Sequence, residues 1–205
     1  MHPYVVAVPS IFGIYLETKK TTAKRFSIMI PTSPLIPVGI SACLLGEKVR
    51  YDGNHKYNHD LITALGRFFK WVSVCPEVEM GLAVPRETMY LVIKDPGDIR
   101  LVTPGGTDYT SVCQTFAKSR VASLAGENIC GFILKSGSPS CGLKEVPLFN
   151  STRKQVGVGQ GLFVSILLNC LPHLPVEEAE HLHNPQQRES FISQVLAYHD
   201  RVSPS

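Results

Sequence analysis

Short apolar runs and helical apolar stripes alternate along the chain from residue 38 onward. Val38–Ala42, Trp71–Val74 and Ile129–Lys135 are brief runs bounded by glycine, proline or serine, and they read as buried strands. Leu61, Leu65, Phe68 and Phe69 recur at helical spacing behind Asp60, a candidate N-cap. A longer helix is expected from Asp108 or Thr110 to about Ala125, with Gly126 suited to its C-cap. Phe163, Val164, Leu167, Leu168 and Leu171 mark another helix. Asn184-Pro185 starts a last one that buries Phe191, Ile192, Val195 and Leu196. Met89–Ile93 and Ile99–Val102 flank Asp95-Pro-Gly97 and read as a hairpin at a sheet margin. Val146–Phe149 is a short strand or loop, and Cys75–Gly81 a loop, because Pro76 removes a donor and restricts Cys75. Strand–helix alternation of this kind argues for an α/β fold with a mostly parallel sheet flanked by helices.

Residues 1–37 break this pattern. They carry Lys19, Lys20, Lys24 and Arg25 against one acid, Glu17, and are rich in Ser, Thr and Pro. They form an N-terminal extension that is flexible, or a targeting segment, or the product of a start upstream of the true one, with Met29 as the alternative. The compact domain is expected over 38–205, beginning near Pro37.

The 205 residues suffice for one good core. A net charge of +3 is too small to argue for a nucleic-acid surface. No stretch approaches the roughly 18 apolar residues of a membrane span. A cytoplasmic, monomeric protein is expected. The chain has six cysteines and no clear signal peptide, which fits thiols kept reduced for metal binding or catalysis better than disulfides.

Three of the cysteines stand apart. Cys43 and Cys75 each follow a short apolar run, and Cys141 ends the small-residue loop Lys135-Ser-Gly-Ser-Pro-Ser-Cys141-Gly that follows another. Strands ending in cysteines can gather them at one edge of a parallel sheet, where open α/β sheets build their sites. Cys113, Cys130 and Cys170 are expected in the core. Structural zinc usually shows paired Cys-x-x-Cys spacing and four ligands, neither of which is present. Soft thiolates also suit iron–sulfur clusters, and a four-iron cluster on three cysteines leaves one iron open as a Lewis acid. Glu77 and Glu79 follow Cys75, Arg86 lies a little further on, and Ser136, Ser138 and Ser140 surround Cys141. A carboxylate there can move protons. Alternatively, Glu77 and Arg86 simply pair while the serines cap turns. The seven histidines show no ligand spacing; His181 and His183 read as solvated. Gly157-Val-Gly-Gln-Gly161 reads as a tight turn into a core helix rather than a phosphate loop, because the Lys-Ser/Thr of a P-loop is absent. A carrier or sensor using the same cysteines, and a metal-free enzyme with Cys141 as nucleophile, are the competing readings.

At these residues the chain resembles the thiouracil desulfidases, small iron–sulfur proteins. The resemblance rests on Ser41-Ala-Cys-Leu-Leu-Gly46, Val49-Arg-Tyr-Asp-Gly53, Cys75-Pro-Glu-Val-Glu-Met-Gly-Leu82, Pro85-Arg86 and Ser138-Pro-Ser-Cys-Gly142. It extends through Asp108-Tyr-Thr110, Gly159-Gln-Gly-Leu-Phe163 and Arg188-Glu-Ser-Phe-Ile192, about residues 38 to 201. It implies a single Rossmann-like domain with a C-terminal helix. It also implies a 4Fe-4S cluster on Cys43, Cys75 and Cys141, with Glu77 as catalytic acid/base and Ser138 as catalytic serine. The implied substrate is a small thiolated pyrimidine, whose sulfur binds the open iron and is replaced by water, turning 2-thiouracil into uracil and sulfide. Asp52, Glu79, Arg86, Ser136 and Ser140 are the candidate substrate contacts. Relatives fused to a second domain act on thiouridine in RNA; no such domain is expected after the last helix here. The chain departs from the family at Thr88, where proline is common, and at Gly137, where a larger residue is common. Both are expected at the pocket. It also has Val146-Pro-Leu-Phe149 where a tyrosine-containing strand is expected.

Overall fold

The structure is a computed structural model that describes residues 35–203 apart from Pro96. The N-terminal extension, except for Leu35 to Pro37, lies outside the described residues. In chain order the elements are β1 (Ile36–Ser41), α1 (His59–Leu65), β2 (Phe69–Val74), α2 (Pro76–Glu79), β3 (Tyr90–Asp95) and β4 (Asp98–Val102). They continue as α3 (Thr110–Gly126), β5 (Phe132–Leu134), β6 (Val146–Phe149), β7 (Gln155–Gly159), α4 (Leu162–Cys170), β8 (Val176–Glu178) and α5 (Pro185–Val202). The fold is α/β, as expected.

One sheet has the order β2-β1-β5-β8, and all its pairs are parallel. The inner strand β1 is buried along nearly its whole length, which explains its continuous apolar run. Helices cover both faces. Leu61 and Leu65 of α1 and Phe191 and Val195 of α5 pack with Ile40 and Phe69 on one side. Ala117, Val121 and Leu124 of α3 and Phe163 and Leu167 of α4 pack with Phe132 and Leu134 on the other. Gly39 in β1 has no room for a side chain: a Cβ there would lie 2.4 Å from the Phe132 ring.

The hairpin does lie at a sheet margin, but of a second sheet, with β4 as its edge strand. It pairs through β3 with β6, and β6 with β7, in the order β4-β3-β6-β7. Pairing Leu91 with Leu148 and Val92 with Phe149 satisfies the open edges of two hairpins at once. Residues 157–161, expected to be a turn, are mostly the end of β7. Its Val156 and Val158 are exposed, so burial periodicity does not reveal it. The three-residue, acidic β8 is equally invisible by pattern.

Several boundaries differ from those expected. Asn58, not Asp60, caps α1 by accepting from the Leu61 amide. Phe69 leaves the helical stripe and opens β2, where it packs edge-on against Trp71 and Phe191. The segment after Cys75 forms a helical turn, with Pro76 at a first-turn position that needs no N–H donor. Gly126 is the last helical residue of α3 rather than its cap, and Asn128 takes the left-handed conformation beyond it. Cys113 and Cys130 are buried as expected, but Cys170 is exposed at the end of α4. Among the described residues no helix is long and apolar enough to cross a membrane.

Candidate functional site

The sheet order β2-β1-β5 determines the site. Each of these parallel strands ends at the same edge, and each is followed by one of the three singled-out cysteines. β1 runs into a 3-10 turn, Ala42–Leu45, that carries Cys43 and closes on Gly46 in the left-handed region, at φ 93°. Cys75 follows β2 directly and is the N-cap of α2. β5 leads into the loop that carries Cys141. All three line one cleft of about 330 Å3.

The Cys141 loop is held from several directions. Lys135 donates its amide to Ser41 Oγ at 3.0 Å, which ties the ends of β5 and β1. The Ser138 hydroxyl accepts from the amides of Ser140 and Cys141 at 3.3 and 3.2 Å, closing a serine turn. The buried carboxylate of Glu178 in β8 accepts from the Leu143 amide at 2.9 Å. Gly161, ahead of α4, lies against the loop so closely that a Cβ would sit 2.4 Å from the Ser140 carbonyl oxygen.

Glu77 projects from α2 into the cleft. Arg86 donates to its Oε2 through Nε at 2.9 Å and Nη2 at 2.6 Å, and Nη2 also reaches the Val49 carbonyl at 2.9 Å. Ser140 Oγ donates to Glu77 Oε1 at 2.7 Å and lies 3.1 Å from Ser138 Oγ. The two readings of Glu77 are therefore compatible: it pairs with Arg86 and it lines the cleft. Ser136, Ser138, Ser140 and Arg86 share that lining, as do both departures from the family pattern, Thr88 and Gly137. Gly137 has φ 66°, a conformation that favours glycine.

Two candidate contacts are directed elsewhere. Asp52 accepts from the Asn54 amide at 3.0 Å and pairs with Arg50, so it organises its own turn. Glu79 accepts from the Cys75 amide at 2.7 Å and from Arg120 Nε at 3.0 Å, so it buttresses the second cysteine from outside the cleft. Arg50, Tyr51, Met89 and Lys135 also line the cleft, and sequence reasoning does not single them out as lining residues. For Arg50 and Tyr51 the available signal is their place in Val49-Arg-Tyr-Asp-Gly53.

The electrostatics keep the three thiols protonated when no cation is beside them. Burial pushes the Cys43 thiol up to about 11; the neighbouring Cys75 adds to this, and Lys135 and Arg50 partly offset it. Burial also raises Cys75, with Glu77 contributing. Cys141 is raised furthest, by burial first and then by Glu77, Cys75 and Cys43. Three mutually repelling, desolvated sulfurs make poor free thiolates but good ligands for a group that brings positive charge. A metal-free nucleophile at Cys141 has no histidine among the cleft-lining residues to activate it. Among the described residues no three His, Cys, Asp or Glu side chains are gathered as the ligands of one metal ion. Cluster ligands each bind a different iron, so they need not converge on one point as zinc ligands do.

An α/β protein with three cysteines at the ends of adjacent parallel strands, around a cleft with a carboxylate and serines, is the class that this fold and site define. Residues 38–179 match the family model of 2-thiouracil desulfurase, and the chain belongs to that family. It is 33% identical over 108 residues to the uncharacterized protein YbbK of Bacillus subtilis (strain 168), covering 50% of this chain and 71% of that protein. Among solved structures it is similar to the [4Fe-4S]-dependent thiouracil desulfidase TudS. That match has a TM-score of 0.57 and 28% identity, and covers 76% of this chain and 98% of that one.

Proposed function

We propose that the protein desulfurises a thiolated pyrimidine, converting 2-thiouracil and water into uracil and hydrogen sulfide. The observation that carries this reading is the lining of a single cleft by Cys43, Cys75, Cys141, Glu77 and Ser138. The donor set fits a 4Fe-4S cluster: three soft sulfurs, two buried and one half-buried, line one cleft, and a cationic core would offset the burial and mutual repulsion of their thiolates. When bound, the cluster supplies one iron without a protein ligand, a sulfur-seeking Lewis acid beside the substrate.

The chain's own residues supply the rest. Glu77 is anchored by Arg86 at one oxygen and presents the other toward the serines, so it can take a proton from water and return it to the departing sulfur. Ser138, fixed by two backbone amides, offers a hydroxyl to orient the water or the base. Carbon exchanges sulfur for oxygen with no net electron transfer, so no external reductant is needed.

The test is protein purified without oxygen and incubated with 2-thiouracil, following uracil and sulfide. About four irons and four acid-labile sulfides per chain are expected, lost together in C43S, C75S or C141S. Glu77→Gln should keep the cluster and lose turnover by roughly 10²–10⁴-fold. Full iron content with no sulfide released from any thiopyrimidine would refute the assignment and leave a carrier or sensor.

A further inference from the structure

Ser140 lies between Glu77, to which the proposed reaction gives proton transfer, and Ser138, to which it gives an orienting role, and its own surface is fully buried. An ionised carboxylate can only accept, so the single Ser140 proton points at Glu77 Oε1, 2.7 Å away. The Ser140 oxygen keeps its lone pairs for the Ser138 hydroxyl at 3.1 Å and for a longer contact to Cys141 Sγ at 3.6 Å. Ser138 Oγ in turn accepts from two amides, which leaves its proton free to point at Ser140. Arg86 holds the far carboxylate oxygen, Oε2. The hydrogen bonds therefore run in one direction, from Ser138 to Ser140 to Glu77. A fully buried hydroxyl with a partner on each side has no surface left to offer a pyrimidine.

We infer that Ser140 is a positioning residue that joins Ser138 to Glu77 as a two-hydroxyl proton relay, rather than a substrate contact. This rests on the desulfurisation reading above. As water adds to the thiocarbonyl carbon, a C–O bond forms and one water proton passes to Ser138 Oγ. The Ser138 proton passes to Ser140 Oγ, and the Ser140 proton to Glu77 Oε1. Both serines end neutral and Glu77 ends as the acid. When the C–S bond breaks, its electron pair leaves with sulfur. The proton held by Glu77 and the one left on the new hydroxyl both end on that sulfur. The products are the carbonyl and hydrogen sulfide, with no change of oxidation state at carbon.

The experiment compares wild type, Ser140→Ala and Ser140→Thr as cluster-loaded protein, with Glu77→Gln alongside. In S140A, kcat should fall about 10²-fold, the lower end expected for lost proton transfer. KM, the uracil dissociation constant from calorimetry, and iron and sulfide content should each stay within about twofold of wild type, because Ser140 exposes no surface to substrate and its contact to Cys141 Sγ, at 3.6 Å, is the longest of its three. The dependence of kcat on the deuterium fraction of the solvent should be curved in wild type, reporting several protons in flight, and lose that curvature in S140A. S140T keeps the hydroxyl and should retain turnover within about tenfold of wild type. Full kcat in S140A overturns the relay while leaving desulfurisation intact. A weakened uracil affinity at unchanged kcat overturns it in favour of a substrate contact. Loss of iron from both variants overturns it in favour of structural support for Cys141. If loaded wild type releases no sulfide, the desulfurisation reading falls, and the relay with it.

Discussion

Replacing Gly161 with alanine tests how the Cys141 loop is placed. Gly161 has an ordinary extended conformation, φ −61° and ψ 146°, so backbone strain is not the issue. Space is. A Cβ at 161 would lie 2.4 Å from the Ser140 carbonyl oxygen, 2.5 Å from its carbon and 2.9 Å from the Cys141 nitrogen. Carbon pairs settle near 3.5–4.0 Å, so the two segments must separate by about 1 Å. All three opposing atoms are backbone and cannot rotate aside. Forcing one carbon into such a contact costs about 1–3 kcal/mol. For a chain of this size that lowers the melting temperature by roughly 2–12 °C. The functional effect should be larger, because the moving segment carries both Ser140 and Cys141, and a shift of about 1 Å at reacting groups can cost about 10²-fold. Scanning calorimetry, iron analysis and turnover of 2-thiouracil measure the three effects. Gly157→Ala is the control, since a Cβ there meets nothing within 4 Å. If G161A matches G157A in melting, iron content and turnover, the loop is not positioned by this contact and the reasoning fails.

Burial and pairing lead to two more expectations. Arg86→Met removes the partner of a carboxylate whose side chain is only 14% exposed, in a pair where Arg86 itself is 8% exposed. Breaking such a pair should cost about 3–5 kcal/mol, read from denaturant unfolding, and removing Glu77 as well should recover part of it. The second concerns the other cysteines. In native protein at pH 8, iodoacetamide should label the exposed Cys170 and spare Cys113, whose thiol burial pushes up to about 12. At that pH only about 10⁻⁴ of Cys113 is thiolate, so its labelling should rise as pH rises and only reach completion on unfolding. Peptide mass mapping that finds Cys113 alkylated as readily as Cys170 would contradict the packing described for α3.

Much of the site is legible in the order of residues along the chain. Cys43, Cys75 and Cys141 stand out because each follows an apolar run and is flanked by residues that make loops, while Cys113 falls within an expected helix and Cys130 at the start of an expected strand, and both are buried. Cys170 misleads because the apolar stripe of α4 continues to its end, while the residue itself faces water. Asp52 and Glu79 are plausible contacts by proximity along the chain. Only the side-chain directions show one organising a turn and the other bracing the Cys75 amide.

Features that depend on local spacing follow from the residues alone: the buried strand β1, the long helices α3 and α5, the Asn184 cap, the three loop cysteines and the family to which they belong. Periodicity and steric preference over a few residues suffice for these. Features that depend on distant partners arise only when the chain is folded. Hairpin β3–β4 joins β6–β7 in a second sheet because two open edges can satisfy each other. The exposed β7 takes its strand form from pairing rather than from pattern. Glu77, 63 positions from Ser140 in the chain, meets its hydroxyl because β2 and β5 flank β1 and end at the same edge. Local rules say which residues are candidates for chemistry; sheet order, a long-range property, decides which of the candidates meet in one cleft.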